Sequence, residues 1–135
     1  MTGILADNNV EKHLDILLYV WESGEWRELW DSLNLPLQTF EELGISRDVN
    51  DAVLWQECQR RQVVLVTANR NKEGATSLEA TIRLHNRADS LPVFTLADAD
   101  RVLSERAYAM RAAEKLLEYL FTIDKVRGTG RLYLP

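Results

Sequence analysis

Acidic side chains stand at several places where the chain changes direction: Asp7 after the apolar run Gly3–Ala6, Glu42 two residues before Gly44, Asp51 at the start of a helical pattern, and Asp98 after the apolar run Val93–Leu96. Carboxylate oxygens are hard donors that suit Mg²⁺ or Mn²⁺. A pair of such ions activates water and stabilises the leaving oxygen in phosphodiester cleavage, so metal-assisted hydrolysis is the chemistry these residues could share. Asn69 and Asn71 add amide oxygens that can ligate a cation, and amide N–H groups that can face a phosphate. The candidate catalytic residues are therefore Asp7, Glu42, Asp51 and Asn69, and the candidate metal ligands Asp7, Asp51 and Asp98. Each position also has a plainer use, because acids at helix starts satisfy free N–H groups and Asn favours turns.

Other chemistries lack their residues. No Gly-rich phosphate loop, serine elbow or paired-histidine motif occurs. His13 and His85 are isolated, so no catalytic histidine is expected, and the single Cys58 can form neither an internal disulfide nor a cysteine-rich zinc site.

The elements that must position these acids follow from periodicity. Gly3–Ala6 reads as a strand, and Asn8 or Asn9 can cap a helix with Val10, Leu14, Leu17, Leu18 and Trp21 inward. Ser23-Gly24 breaks it, and Trp26, Leu29, Trp30 and Leu33 mark a second helix that makes a hairpin with the first. Residues 37–40 fit a strand, 41–47 a loop, and 48–61 a helix with Asp51, Leu54, Trp55 and Cys58 on one face. Val63–Thr67 is continuously apolar and β-branched, the mark of a central strand covered on both sides. A polar loop over 68–74 precedes a capping box at Thr76 to Glu79 and a helix with Leu78 and Ile82 inward. After the strand Val93–Leu96, Asp98 or Asp100 caps one long helix through Val102, Leu103, Met110, Ala113, Leu117 and Leu120. Strands alternating with helices give an α/β domain with a mainly parallel sheet, helices on both faces and right-handed crossovers. Ligands of such sheets bind beyond the carboxyl ends of the strands, so Asp7, Asp51 and Asn69 should converge there.

With 135 residues, 46% of them apolar, the chain has the size and composition of one globular domain, expected to span 1–135. No run is long enough to cross a membrane, and the acid-bearing amino terminus does not read as a secretion signal, so the cytoplasm is the expected compartment. The net charge of -5 argues against a sequence-independent nucleic-acid coat. Residues 1–57 carry three bases and twelve acids, residues 58–135 thirteen bases and nine acids. In the second part Arg70, Lys72, Arg127 and Arg131, with the amides of Gly128 and Gly130, could meet a nucleic-acid backbone, or could simply be solvated. Trp21, Trp26 and Trp30 could stack bases, but their helical spacing suits packing. A protein partner or a homodimer could use the Trp hairpin or the long helix.

These residues resemble the PIN-like domains, in particular the compact group of toxin-type ribonucleases, over about residues 3–100. Leu5-Ala6-Asp7-Asn8-Asn9-Val10 looks like the opening strand ending in Asp. Phe40-Glu41-Glu42-Leu43-Gly44-Ile45 is similar to the segment with Glu two residues before Gly, and Asp51 stands where the family has an acid at a helix start. Val64-Leu65-Val66-Thr67 resembles the strand and Thr that introduce a further Asp, but here Ala68 and Asn69 follow, and Asn71 takes a second Asp position. The resemblance implies a three-layer α/β/α sandwich and a Mg²⁺- or Mn²⁺-dependent endoribonuclease acting on RNA, weakened by loss of one acid. A catalytically inactive PIN-like module that binds RNA or a protein is the alternative.

Overall fold

The computed structural model describes residues 1–135. Strand β1 (Gly3–Ala6) leads to helix α1 (Glu11–Glu22), a 3-10 turn at Gly24–Trp26, α2 (Arg27–Leu33) and a two-residue β2 (Leu37–Gln38). Then come α3 (Phe40–Leu43), α4 (Asp51–Arg61), β3 (Val63–Thr67), α5 (Leu78–His85) and β4 (Val93–Leu96). Helices α6 (Ala99–Ser104), α7 (Arg106–Phe121) and α8 (Ile123–Val126) precede β5 (Arg131–Leu134). The sheet is entirely parallel in the order β2-β1-β3-β4-β5.

Alternation along the strands builds the two faces. Ile4, Ala6, Val64, Val66, Phe94 and Leu96 point into a core closed by α1, α2, α6 and α7, whereas Leu5, Val63, Leu65 and Val93 point into a core closed by α3, α4 and α5. The α/β/α sandwich is thus what the period of two in buried parallel strands requires. Trp21 and Trp30 stack with centroids 4.5 Å apart, and the Trp21 indole donates to the Ala113 carbonyl at 2.8 Å, fastening α1 to α7. The acidic part of the chain supplies helices to both faces, so the charge asymmetry does not sort by layer.

Several expectations are corrected. The second strand stops at Gln38 because Thr39 opens α3 through a capping box with Glu42, and Gly44 in the left-handed region ends it; residues 41–43 are therefore helix, not loop. Val10, rather than Asn8 or Asn9, begins α1, with no side-chain cap. Ser77 caps α5 by accepting from the Ala80 N–H, so no box forms between Thr76 and Glu79. The long helix is two, broken where Glu105 is extended, and the break lets α6 and α7 each pack against α1; Leu103 and Met110 fall off the buried stripe. Leu29 is likewise exposed. Residues 131–134, which carry no strong signal, add a fifth strand beside β4.

Crossover handedness also departs from the expectation. The connections β1 to β2, β2 to β3 and β3 to β4 share one hand, but β4 to β5 steps in the same direction as β3 to β4 while its helices cover the opposite face. The connection over 97–130, which holds three helices, is thus one of the rare exceptions to the right-handed preference of parallel crossovers.

Two outcomes are expected. Leu65 is 2% exposed at the centre of the sheet, so Leu65→Ala should cost about 2–5 kcal/mol in denaturant unfolding through lost transfer energy and a cavity. His13 is buried with Nδ1 unpartnered, and burial holds its pKa below the ordinary value. The unfolded chain takes up a proton near pH ~6.5 that the folded chain resists, so this contribution to stability is fully present above that pH and is lost progressively below it. His13→Leu should flatten the fall in denaturation midpoint between about pH 7 and 5.

Candidate functional site

The carboxyl ends of β1 and β3 lie side by side because Ala6 pairs with Val66 and the Asp7 N–H donates to the Val66 carbonyl at 2.9 Å. Asp7 is therefore held just beyond the sheet edge. Its Oδ1 accepts from the Asn8 N–H at 2.8 Å and its Oδ2 from the Thr67 hydroxyl at 2.9 Å. The same Thr67 oxygen, fully buried, accepts from the Asn69 N–H at 3.0 Å. Asn69 Nδ2 then donates to Asp51 Oδ2 at 2.9 Å. One buried hydroxyl and one amide thus link two carboxylates from the end of β1 and the start of α4.

Asp51 is released from capping duty by its neighbour. Asn50 caps α4, accepting from the Val53 N–H at 2.9 Å, so the Asp51 carboxylate in the first turn is left to face Asn69. Asn69 Oδ1 accepts from the Asn71 N–H, and Asn71 Oδ1 from the Glu73 N–H, which shapes the following loop. From the other side Arg131 donates to the Asn69 carbonyl at 2.9 Å and to Thr95 Oγ1 at 2.6 Å, while pairing with Glu79 at 2.9 Å.

Asp7, Asp51, Thr67 and Asn69 line a cavity of about 450 Å³ together with Arg47, Phe40 and Val49. A larger cavity of about 520 Å³ lies between α1 and α6–α7, but its walls are mostly apolar and hold no pair of carboxylates. Asp7, Asp51 and Asn69 converge as the strand-end argument expects. Glu42 and Asp98 do not. The Glu42 side chain turns back to the Thr39 N–H at 3.0 Å, and Asp98 caps α6 through the Arg101 N–H at 3.2 Å, so the demands of two helix starts consume both.

The basic candidates divide similarly. Arg70 and Lys72 are exposed in the loop beside Asn69. Arg131 is buried in its ion pair, and Arg127 donates to Asp124 and to the Asp89 carbonyl. Gly128 and Gly130 serve the turn before β5; a Cβ on Gly128 would lie 2.9 Å from the Ala88 carbonyl oxygen. Burial, reinforced by the Asp7 and Glu57 charges, pushes the Cys58 thiol up to about 12, which leaves it inert.

Arg47 is the residue that periodicity does not reveal. Its guanidinium donates to Glu41 Oε1 and Oε2 at 2.8 and 3.1 Å, to Glu11 Oε1 and Oε2 at 2.7 and 3.3 Å, and to Asn8 Oδ1 at 2.8 Å. It also lies 5.0 Å over the Phe40 ring. Hydrogen bonds from Arg47 hold the Glu41 carboxyl down to about 2 and raise the pKa of Arg47 itself. The only sequence signal was that Arg47 is one of three bases among the first 57 residues.

No three His, Cys, Asp or Glu side chains come close enough to form a cage for a metal by themselves. Asp7 and Asp51 are the two carboxylates that line the cavity. No family model, curated protein or solved structure matches the chain.

Thr67→Val should expose how the two acids are coupled, because it removes a buried hydroxyl that both donates and accepts. The expected loss is about 1–3 kcal/mol in denaturant unfolding, with Thr67→Ser recovering most of it. The Glu41 contribution should be present above pH ~4.5 and decline as pH falls towards 2, a dependence that Glu41→Gln removes.

Proposed function

We propose that the Asp7–Asp51–Asn69 cavity is a metal-dependent endoribonuclease site of PIN-like type, holding Mg²⁺ or Mn²⁺ jointly with an RNA phosphate and acting slowly. The observation that carries this reading is the joining of Asp7 and Asp51, from separate segments, across one cavity by Thr67 and Asn69. Asp7 and Asp51 would be the ligands, and the ion would supply water activation and neutralisation of phosphate charge. Thr67 fixes the Asp7 carboxylate so that it does not reorganise on binding. Arg70 and Lys72, exposed beside Asn69, supply phosphate contacts that position a strand without reading its sequence. Slow turnover follows from the neutral amide of Asn69, which stands against Asp51 where a further carboxylate would strengthen cation binding.

The same amide favours a second reading, a catalytically inactive PIN-like module that binds RNA or a protein. With Asn69 donating to Asp51 and Ala68 beside it, the cavity is stable without a cation. Cleavage of a mixed single-stranded RNA pool with Mn²⁺ and with chelator decides between them, using Asp7→Ala as the control. Metal-dependent cleavage that Asp7→Ala abolishes supports the nuclease. Binding of the pool without cleavage supports the module.

Asn69→Asp should restore the carboxylate. We expect Mn²⁺ binding to tighten by roughly tenfold or more in calorimetric titration, and RNA cleavage to rise with it. Without metal the melting temperature should fall, because two carboxylates then face each other where one was hydrogen-bonded; added Mn²⁺ should reverse the sign. Unchanged Mn²⁺ affinity in both Asn69→Asp and Asp7→Ala would remove the metal reading.

A further inference from the structure

We infer that Arg131 is a positioning residue of the acidic cavity: it holds the main chain at Asn69 so that the Asn69 amide stays on Asp51, which makes the geometry of the site depend on strand β5. The inference deepens the reading of that cavity given above and rests on it only for the effect on turnover.

Asn69 lies two residues beyond the end of β3. Its N–H donates to Thr67 Oγ1 at 3.0 Å and its carbonyl accepts from Arg131 Nη1 at 2.9 Å, so both of its backbone groups are held by side chains. One bracket comes from the strand just completed and the other from 62 residues further along the chain. With the backbone fixed in this way, Asn69 Nδ2 reaches Asp51 Oδ2 at 2.9 Å and Oδ1 accepts from the Asn71 N–H at 2.8 Å. Residues 70–76 are all exposed, so no packing of the following loop substitutes for the Arg131 bond.

Arg131 reaches that position along the sheet. It begins β5 in register with Val93, and its guanidinium crosses to Thr95 Oγ1 at 2.6 Å, two residues further along β4. Thr95 is in turn the register partner of Thr67. Two fully buried threonines thus stand side by side on β3 and β4, one bonded to Asp7 and the other to Arg131. Both Nη1 hydrogens are spent, on Asn69 and Thr95, while Nε and Nη2 meet one oxygen of Glu79 on α5 at 3.2 and 2.9 Å. These bonds fix the plane of the guanidinium as well as its place, which a lysine ammonium could not match. The Arg131 side chain is only 8% exposed and lies outside the lining of the cavity, so its influence on Asp51 passes through Asn69.

An ion pair that only stabilises the sheet edge would loosen the fold generally when removed, whereas a positioning residue would loosen Asn69 in particular. Hydrogen exchange of the full chain, read by NMR at the Asn69 side-chain amide and the Asn71 N–H, separates the two. Arg131→Met/Glu79→Gln removes both charges and leaves no partly buried carboxylate without its partner. Exchange at those two groups should quicken about tenfold or more, with the Asp7 N–H, bonded to the Val66 carbonyl, unchanged. Glu79→Gln alone keeps an oxygen for Arg131 and should leave all three as they are. Arg131→Lys keeps the charge opposite Glu79 without the planar fork, and carries the same expectation if the double variant does not fold. Unchanged exchange at Asn69 in a folded Arg131 variant, equal quickening at Asp7, or equal quickening in Glu79→Gln overturns the inference. In the RNA assay with Mn²⁺ the Arg131 variant should turn over about tenfold more slowly at unchanged KM, since orientation is lost and no substrate contact is. A raised KM at unchanged kcat would make Arg131 a substrate contact and overturn the positioning role. If the natural chain cleaves no RNA, the nuclease reading falls, while quickened exchange confined to Asn69 and Asn71 still upholds the role of Arg131.

Discussion

Everything at the cavity depends on β3 being buried on both faces and both edges. Its residues Val63–Thr67 are all buried, flanked by β1 and β4 and covered by α1 and α7 on one side and α4 and α5 on the other. A strand so enclosed has no free backbone groups and no place for polar side chains along its length, so polar chemistry is displaced to its end. Thr67 is the point of transition. It is buried like the residues before it, yet its hydroxyl begins the hydrogen-bond chain that runs to Asp7 on one side and Asn69 and Asp51 on the other.

The short β2 and the early α3 follow from the same economy of backbone groups. Thr39 and Glu42 satisfy each other's N–H groups, which starts a helix immediately after two strand residues and brings Phe40 and Arg47 to the cavity wall. Asn50 does the equivalent service for α4 and frees Asp51. Residues chosen by local helix starts thus decide which acids can act and which are used up.

Much of the framework was legible in the sequence because it rests on periodicity. Val63–Thr67, Gly3–Ala6 and the Leu54, Trp55, Cys58 stripe declared their burial directly, and strand ends in a parallel sheet converge by topology. Convergence of Asp7, Asp51 and Asn69 could be read for that reason. Glu42 and Asp98 could not be separated from them, since a capping acid and a ligand acid occupy the same kind of sequence position and differ only in where the side chain turns. Arg47 was hidden because two of its three partners, Asn8 and Glu11, lie 39 and 36 residues away in the chain. Strand β5 and its opposite-handed connection were hidden for a further reason: the four residues Arg131–Leu134 carry too weak a pattern to announce a strand, and a crossover of the rarer hand runs against the general preference.

The bond from Arg131 to the Asn69 carbonyl ties the acidic edge to a strand 62 residues further along the chain. During synthesis the ribosome makes Asp7, Asp51 and Asn69 first, and at about 5–20 residues per second it takes a further 3 to 12 seconds or so to reach Arg131. Through that interval the Asn69 loop lacks its anchor, and Glu79 and Thr95, once made, have no arginine between them. The cavity is consequently among the last parts of the molecule to be completed, and a nascent chain holds its carboxylates in an unfinished arrangement until β5 closes the sheet edge.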